Sequence, residues 1–466
     1  MSLTDRPIRN LLLPFLALVV ALWLRPIVLR LPAPELPKLQ LKSLSGTPQA
    51  NDSCKIIHHP SKALKYCEDL LHWKEAGVVI ASCDEGRPEW NTVLGPLKNP
   101  EPRGKLFVYN IGATELETST ESTGQPPNDR VYELELTGFP DGKDFHPLGL
   151  QLHQLNTTRS ARLFLVNHRR DRSVVEVFKL ESDSLDQSTD QLSSRKVSLT
   201  WERTLAHHLI ETPNAIVALD SNSFLVTNDH YFNRRANPAL HSLETWLTLR
   251  GGNVVEVRFT DQLKDRSPNH NIDAAEWEEI EAWKMIDGLP FANGIALHPS
   301  RSTLVVACSL VQKLWYYHQV KPIGPMRRLA FNPIGSRHLD FIPDNIHFDG
   351  PHRLIAAGHP HGRSLAKFSS NLEGEKTAGS SVAAVIHNDD PDEPLNAHRA
   401  QVHDILVDDG HFFASSSSAI IVPPSDSHHQ FGKTSGTSGH PEHSPNRLIV
   451  SGLYQTGLLE CNLEFA

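Results

Sequence analysis

The chain has 466 residues, room for two or three average domains or for one large all-β domain with a sizeable core. A net charge of -9 and a pI near 6.3, with no basic cluster carrying interleaved aromatics, exclude nucleic acid as a partner, because phosphate binding needs a basic face. Histidine is abundant at 26, yet no HExxH or helical histidine pair occurs, so most are read as surface and loop residues.

At the N-terminus, Arg6 and Arg9 precede an apolar run over 11–24, which Arg25 interrupts before 26–29 continue it. The run is short for a spanning helix and long enough for a signal h-region. Arg25, Pro26 and Arg30 stand where a small-residue cleavage site would be. Residues 1–31 are therefore expected to form an uncleaved signal-anchor helix, with a cleaved signal as the alternative. Either sends the body of the protein into the secretory pathway, membrane-anchored with a lumenal or extracellular domain, or secreted. Residues 32–50, rich in Pro, Leu, Ser and Lys, read as a tether.

The five cysteines are Cys54, Cys67, Cys83, Cys308 and Cys461. An oxidising lumen permits disulfides. Cys54 opens the folded region and Cys461 nearly ends it, so a bond between them would staple the chain ends. Cys67 and Cys83 flank one predicted hairpin and are a second candidate pair, geometry permitting. Cys308 lies in a predicted strand and reads as a buried thiol. Asn156-Thr157-Thr158 and Asn51-Asp52-Ser53 are glycosylation sequons, usable in the lumen.

Past the tether, Glu68 and Asp69 precede the strand 77–82, whose partner is 104–110. Residues 113–129 and 181–195 are polar and loop-like. The run 161–168 ends in Asn167-His168, and 174–180 alternates as a half-exposed strand. In 238–247, Leu240, Leu243, Trp246 and Leu247 fall on one helical face, suggesting a short covering helix. Residues 423–446 are a low-complexity mixture of Ser, His, Gly and Pro, expected to be disordered.

One unit recurs through the middle of the chain. Asn214, Asn293 and Asn345 each stand just before an alternating apolar run, and each run is followed by a turn and a second strand. Asp344 adjoins Asn345. Amide and carboxylate oxygens gathered from several repeats onto one axis suit a hard cation such as calcium; a lone Asn of this kind more often only shapes a turn. Many short strands with an irregular repeat of about 50 residues suggest an all-β, six-bladed β-propeller over 51–466.

The stretches Leu165-Val166-Asn167-His168, Thr227-Asn228-Asp229-His230-Tyr231-Phe232, Phe291-Ala292-Asn293-Gly294-Ile295 and Pro343-Asp344-Asn345-Ile346 resemble the serum paraoxonase/arylesterase family, in register from about Cys54 to Cys461. The resemblance implies a six-bladed propeller with two calcium ions in its central tunnel, a terminal disulfide and hydrolysis of lactones and aryl esters. By motif, the catalytic calcium would be held by Glu68, Asn214, Asn293, Asp344 and Asn345. The structural calcium would use Asp69, the backbone carbonyl of Leu150 and an aspartate whose place Ala215 takes, which puts that ion in doubt. Of the family's histidine dyad, His168 matches one member and Leu148 stands in place of the other, with His146 two residues away as a substitute.

The resulting expectation is metal-assisted hydrolysis of a small ester or lactone, with His168 or a metal-held water assisting. No G-x-S-x-G elbow supports a serine nucleophile. The alternative is a non-catalytic, calcium-stabilised propeller that binds or scaffolds.

Overall fold

A computed structural model describes residues 35–111, 130–140, 144–183, 196–260, 280–320, 329–372, 377–388, 395–423 and 445–464. The expected anchor over 1–31, the loop 113–129 and nearly all of 423–446 lie outside the described residues, as do 184–195 of the loop 181–195. Among the described residues no helix is long and apolar enough to cross a membrane.

The strands form six antiparallel sheets, which are the six blades. In each, the chain runs outward from an innermost strand. These are Cys67–Trp73, Pro147–Gln154, Pro213–Asp220, Ala292–Leu297, Ile342–Phe348 and Ser416–Val422 for blades one to six. Each innermost strand packs against those of its two neighbours, which closes the ring. The sixth blade takes its outer strand, Cys54–Ile57, from the start of the propeller sequence, and Cys54 is disulfide-bonded to the residue it faces, Cys461. The expected staple is therefore a ring closure within one blade.

The alternating patterns seen in the sequence become near-continuous burial, because both faces of a blade are covered by neighbours. Six hydrophobic clusters fill the six gaps between blades. One, between blades two and three, gathers Phe164, Val177, Ile216, Phe224 and Val255.

Two expectations are corrected here. The tether does not run to residue 50: Gln40–Lys42 pairs with Gln401–Asp408 on the fifth blade and Pro48–Gln49 pairs back onto it, making that sheet six-stranded. A Pro- and Ser-rich composition is compatible with an edge strand as well as with a linker. The predicted helix forms as Pro238–Trp246, but it turns His241 and Glu244 inward and leaves Leu240 and Trp246 exposed. Backbone hydrogen bonds decide this. The buried Glu244 carboxylate accepts from Tyr231 N at 2.9 Å and Phe232 N at 3.0 Å, anchoring the helix through a polar residue. The second described helix is Gly362–Ser370.

Candidate metal centre

All six innermost strands carry a break in register near their first residue. In blade three, Pro213 faces Asn228 and Ile216 faces Val226, so Asn214 and Ala215 together oppose Thr227. The same happens at Asn293 and Gly294, at Asp344 and Asn345, and at Leu148 and Gly149. In blades one and six a single residue is extruded, Glu68 and Ser417. A β-bulge frees its residues from the ladder and re-aims their side chains. The bulges of blades one, three, four and five therefore present Glu68, Asn214, Asn293, Asp344 and Asn345, side chains that a regular strand would have aimed differently, whereas that of blade two sends Leu148 into the gap towards blade three. Close approach is needed for this. A Cβ at Gly294 would stand 2.5 Å from Asp344 O, so only glycine lets the fourth and fifth bulges touch.

Five of the expected ligands, Glu68, Asn214, Asn293, Asp344 and Asn345, sit on these bulges, and all five are buried. Their hydrogen bonds sort nitrogen from oxygen. Asn293 Nδ2 donates to Ser309 Oγ at 3.1 Å, and Ser309 Oγ donates to Pro343 O at 2.7 Å. Asn214 Nδ2 reaches Asp229 Oδ2 at 3.4 Å. Asn345 Nδ2 donates to Glu68 Oε1 at 2.8 Å, joining blades five and one. Left over are Asn214 Oδ1, Asn293 Oδ1 and Glu68 Oε2, buried acceptors with no hydrogen-bond partner among the described residues. Burial, then the charges of Asp69 and Asp344, push the Glu68 carboxyl well above the usual carboxylate range. Bare oxygens of two amides and a carboxylate among crowded negative charge form the donor set of a hard cation. Calcium, the ion the resemblance implies, fits these residues.

The set expected for a second ion does not fit. Asp69 Oδ1 accepts from Leu70 N at 2.8 Å, Ser418 Oγ at 2.8 Å and His347 Nε2 at 3.2 Å. Its Oδ2 accepts from Leu150 N at 3.1 Å. It is thus the N–H of Leu150, not its carbonyl, that meets Asp69. Ala215, buried, supplies no side-chain oxygen.

His168 is placed beneath the bulges of blades two and three. Its Nε2 faces the carbonyl of Pro213 at 2.6 Å, so that nitrogen carries the hydrogen, and Nδ1 accepts from the Thr92 hydroxyl. Burial, then the charge of Arg235, push its pKa down to about 3. It is a neutral, fully bonded imidazole that holds the residue before Asn214. His146 does not complete a dyad. His168 N donates to His146 O at 3.0 Å, but the His146 ring pairs with Asp84 Oδ2 at 2.8 Å. Leu148 is buried in the cluster between blades two and three.

Two residues near the centre were not singled out from the sequence. His359 Nε2 donates to Asp344 Oδ2 at 3.1 Å, and its buried Nδ1 has no partner among the described residues. Only the strand pairing of 353–359 with 342–348 brings it there, though its place in Gly-His-Pro-His-Gly was a signal. Asp229, beside Asn214, pairs with His230 Nδ1 at 2.8 Å. Asp229, His230 and His241 bring ligand atoms within 4.8 Å of one another. The two rings stack at 3.9 Å, however, so their lone pairs run side by side instead of converging on one point. This cluster orients Asn214.

The family model described as Arylesterase matches residues 97–268. Serum paraoxonase/arylesterase 1 of Mus musculus is 30% identical over 299 residues, 63% of this chain and 67% of that protein. The chain belongs to the serum paraoxonase/arylesterase family. Another member, serum paraoxonase/arylesterase 2 of Bos taurus, is 28% identical over 239 residues, 51% of this chain and 56% of its own length. Serum paraoxonase/lactonase 3 of Oryctolagus cuniculus is 25% identical over 279 residues, 58% of this chain and 61% of its own. The chain thus spans somewhat over half the length of most of the relatives it matches.

Proposed function

We propose that this family member is a calcium-dependent hydrolase of aryl esters or lactones. The observation that carries the reading is the set of unpartnered oxygens on Glu68, Asn214 and Asn293, ringed by Asp344 and Asn345 at the same end of the tunnel. Calcium, when bound, supplies a Lewis acid for the ester or lactone carbonyl and the charge that develops on its oxygen. Glu68 and Asp344 would offset the charge of the ion, and Asn214, Asn293 and Asn345 would complete its oxygen shell. Ser309 and Asp229 hold two of those asparagines with the amide oxygen free. Within this reading His168 acts by position, holding the Pro213 carbonyl next to Asn214. The nitrogen with a lone pair to offer is Nδ1 of His359, whose Nε2–H is given to Asp344, and we assign it the proton of the attacking water.

Two disulfides support passage through an oxidising compartment, and the exposed Asn156 is the proposed glycan site there. Anchorage through residues 1–31 remains part of the proposal.

The test is hydrolysis of phenyl acetate and a panel of aliphatic lactones, with calcium and after chelation, with folding followed in the same samples. Calcium-dependent turnover is expected. Asp344→Asn and Asn293→Ala are expected to lower kcat/KM at least about 100-fold while the fold survives, a loss of about 2.7 kcal/mol of transition-state stabilisation. No turnover in a folded, calcium-loaded protein would instead support the binding propeller, for which Leu148 in the dyad position is the observation in favour.

A further inference from the structure

Asp69 stands beside Glu68, yet its oxygens are treated in the opposite way. Glu68 Oε2 is bare, whereas both oxygens of Asp69 are occupied by donors of the protein itself. The donors come from four blades. Leu70 N belongs to blade one, Leu150 N to blade two, His347 to blade five and Ser418 to blade six. His347 Nε2 also lies 2.8 Å from Ser418 Oγ, so imidazole, hydroxyl and carboxylate form one closed group. Asp69 and Ser418 are buried.

We infer that the Asp69–His347–Ser418 group takes the place of the second, structural calcium, and that this protein holds one ion per chain. The argument is one of donors and charge. An ion at the tunnel axis ties blades together by drawing oxygens from several of them, and it needs carboxylates to offset its charge. Here Ala215 has removed one carboxylate, and an imidazole and a hydroxyl fill the other. The four donors supply the same cross-blade ties through ordinary hydrogen bonds. A buried carboxylate left without them would cost several kcal/mol, so the donors are required once the ion is gone. His347 lies just past the Asp344-Asn345 bulge, where strand alternation turns it towards the axis below the ligand ring.

The inference rests on the calcium reading above, and its test separates the two. Bound calcium is counted by equilibrium dialysis and atomic emission on the folded wild-type protein and on A215D/H347S. One ion in the wild type and two in the double variant are expected. Two ions in the wild type, or one in a folded double variant, would overturn the inference. No ion in the wild type would overturn the calcium reading and leave the donor group to a second measurement. That measurement is the melting temperature of His347→Ala, which does not depend on the double variant folding. It is expected to fall by about 2–5 °C equally in calcium and in chelator. A loss seen only in chelator would mean that an ion serves Asp69 in solution, and would sink the idea.

Discussion

Cys67 lies directly opposite Cys83, and the disulfide between them closes the strand pair one residue before Glu68 leaves the ladder. The bulge that carries a ligand of the proposed calcium is therefore cross-linked at its root. Beyond the bulge, Asp69 faces Ser82 and normal pairing resumes. Glu68 is free to turn its carboxylate to the axis, and its backbone is not free to slip. Arg87 lies near enough to draw the Glu68 pKa down in part, and it donates from Nε to Tyr66 O at 3.2 Å, steadying the residue before Cys67.

The first prediction follows from that relationship. Replacing both cysteines, C67S/C83S, is expected to weaken calcium binding about tenfold, or about 1.4 kcal/mol, by isothermal titration. The loss should not add to that of Glu68→Gln, because both changes act on one ligand. Full additivity, or unchanged affinity, would show that the disulfide serves the first blade alone.

Ring closure predicts the reverse pattern. Cys54 and Cys461 are 407 residues apart, and their bond joins the outer two strands of the sixth blade, away from the bulges. Opening so long a loop in the unfolded chain makes the C54A/C461A variant less stable by about 2–5 kcal/mol. A shift of the denaturant midpoint with calcium affinity retained is the expected result. A weakened affinity would mean that the ring opens at the tunnel as well as at its seam.

Acid should destabilise the protein through His168. Its folded pKa of about 3 lies below the ordinary 6.5, so between those values the unfolded chain binds a proton that the folded chain refuses. Stability is then full above about pH 6.5 and falls as pH drops towards 3, by up to about 1.4 kcal/mol per pH unit from this one group. Melting temperatures of the calcium-free protein from pH 7 to 4.5 check it. His168→Gln should flatten that slope, and an unaltered slope would show that other groups set the acid limit.

Most of the candidate ligand set was legible because the bulge residues share a context. An Asn or Asp ahead of an alternating apolar run recurs at Asn214, Asn293 and Asp344-Asn345, and the paired acids Glu68-Asp69 stand at the equivalent place. The burial of His168 was not legible. The sequence offers His168 as an assisting group, and it is Thr92 and Pro213, from other blades, that occupy both of its ring nitrogens. The edge pairing of Gln40–Lys42 was likewise hidden, since a three-residue strand has no periodicity to detect.

What the sequence by itself determined is the repeat, the residue types of the proposed ligand ring and the cysteines able to meet at the seam. These depend on local pattern, and alternation within a strand states which face is inward. The tertiary structure alone decided how each polar atom is used. It left Glu68 Oε2 bare and gave Asp69 to His347 and Ser418, which stand 278 and 349 residues further along the chain. A period-two pattern says that a side chain points to the axis, but the partner it finds there depends on how six separate strands close around it.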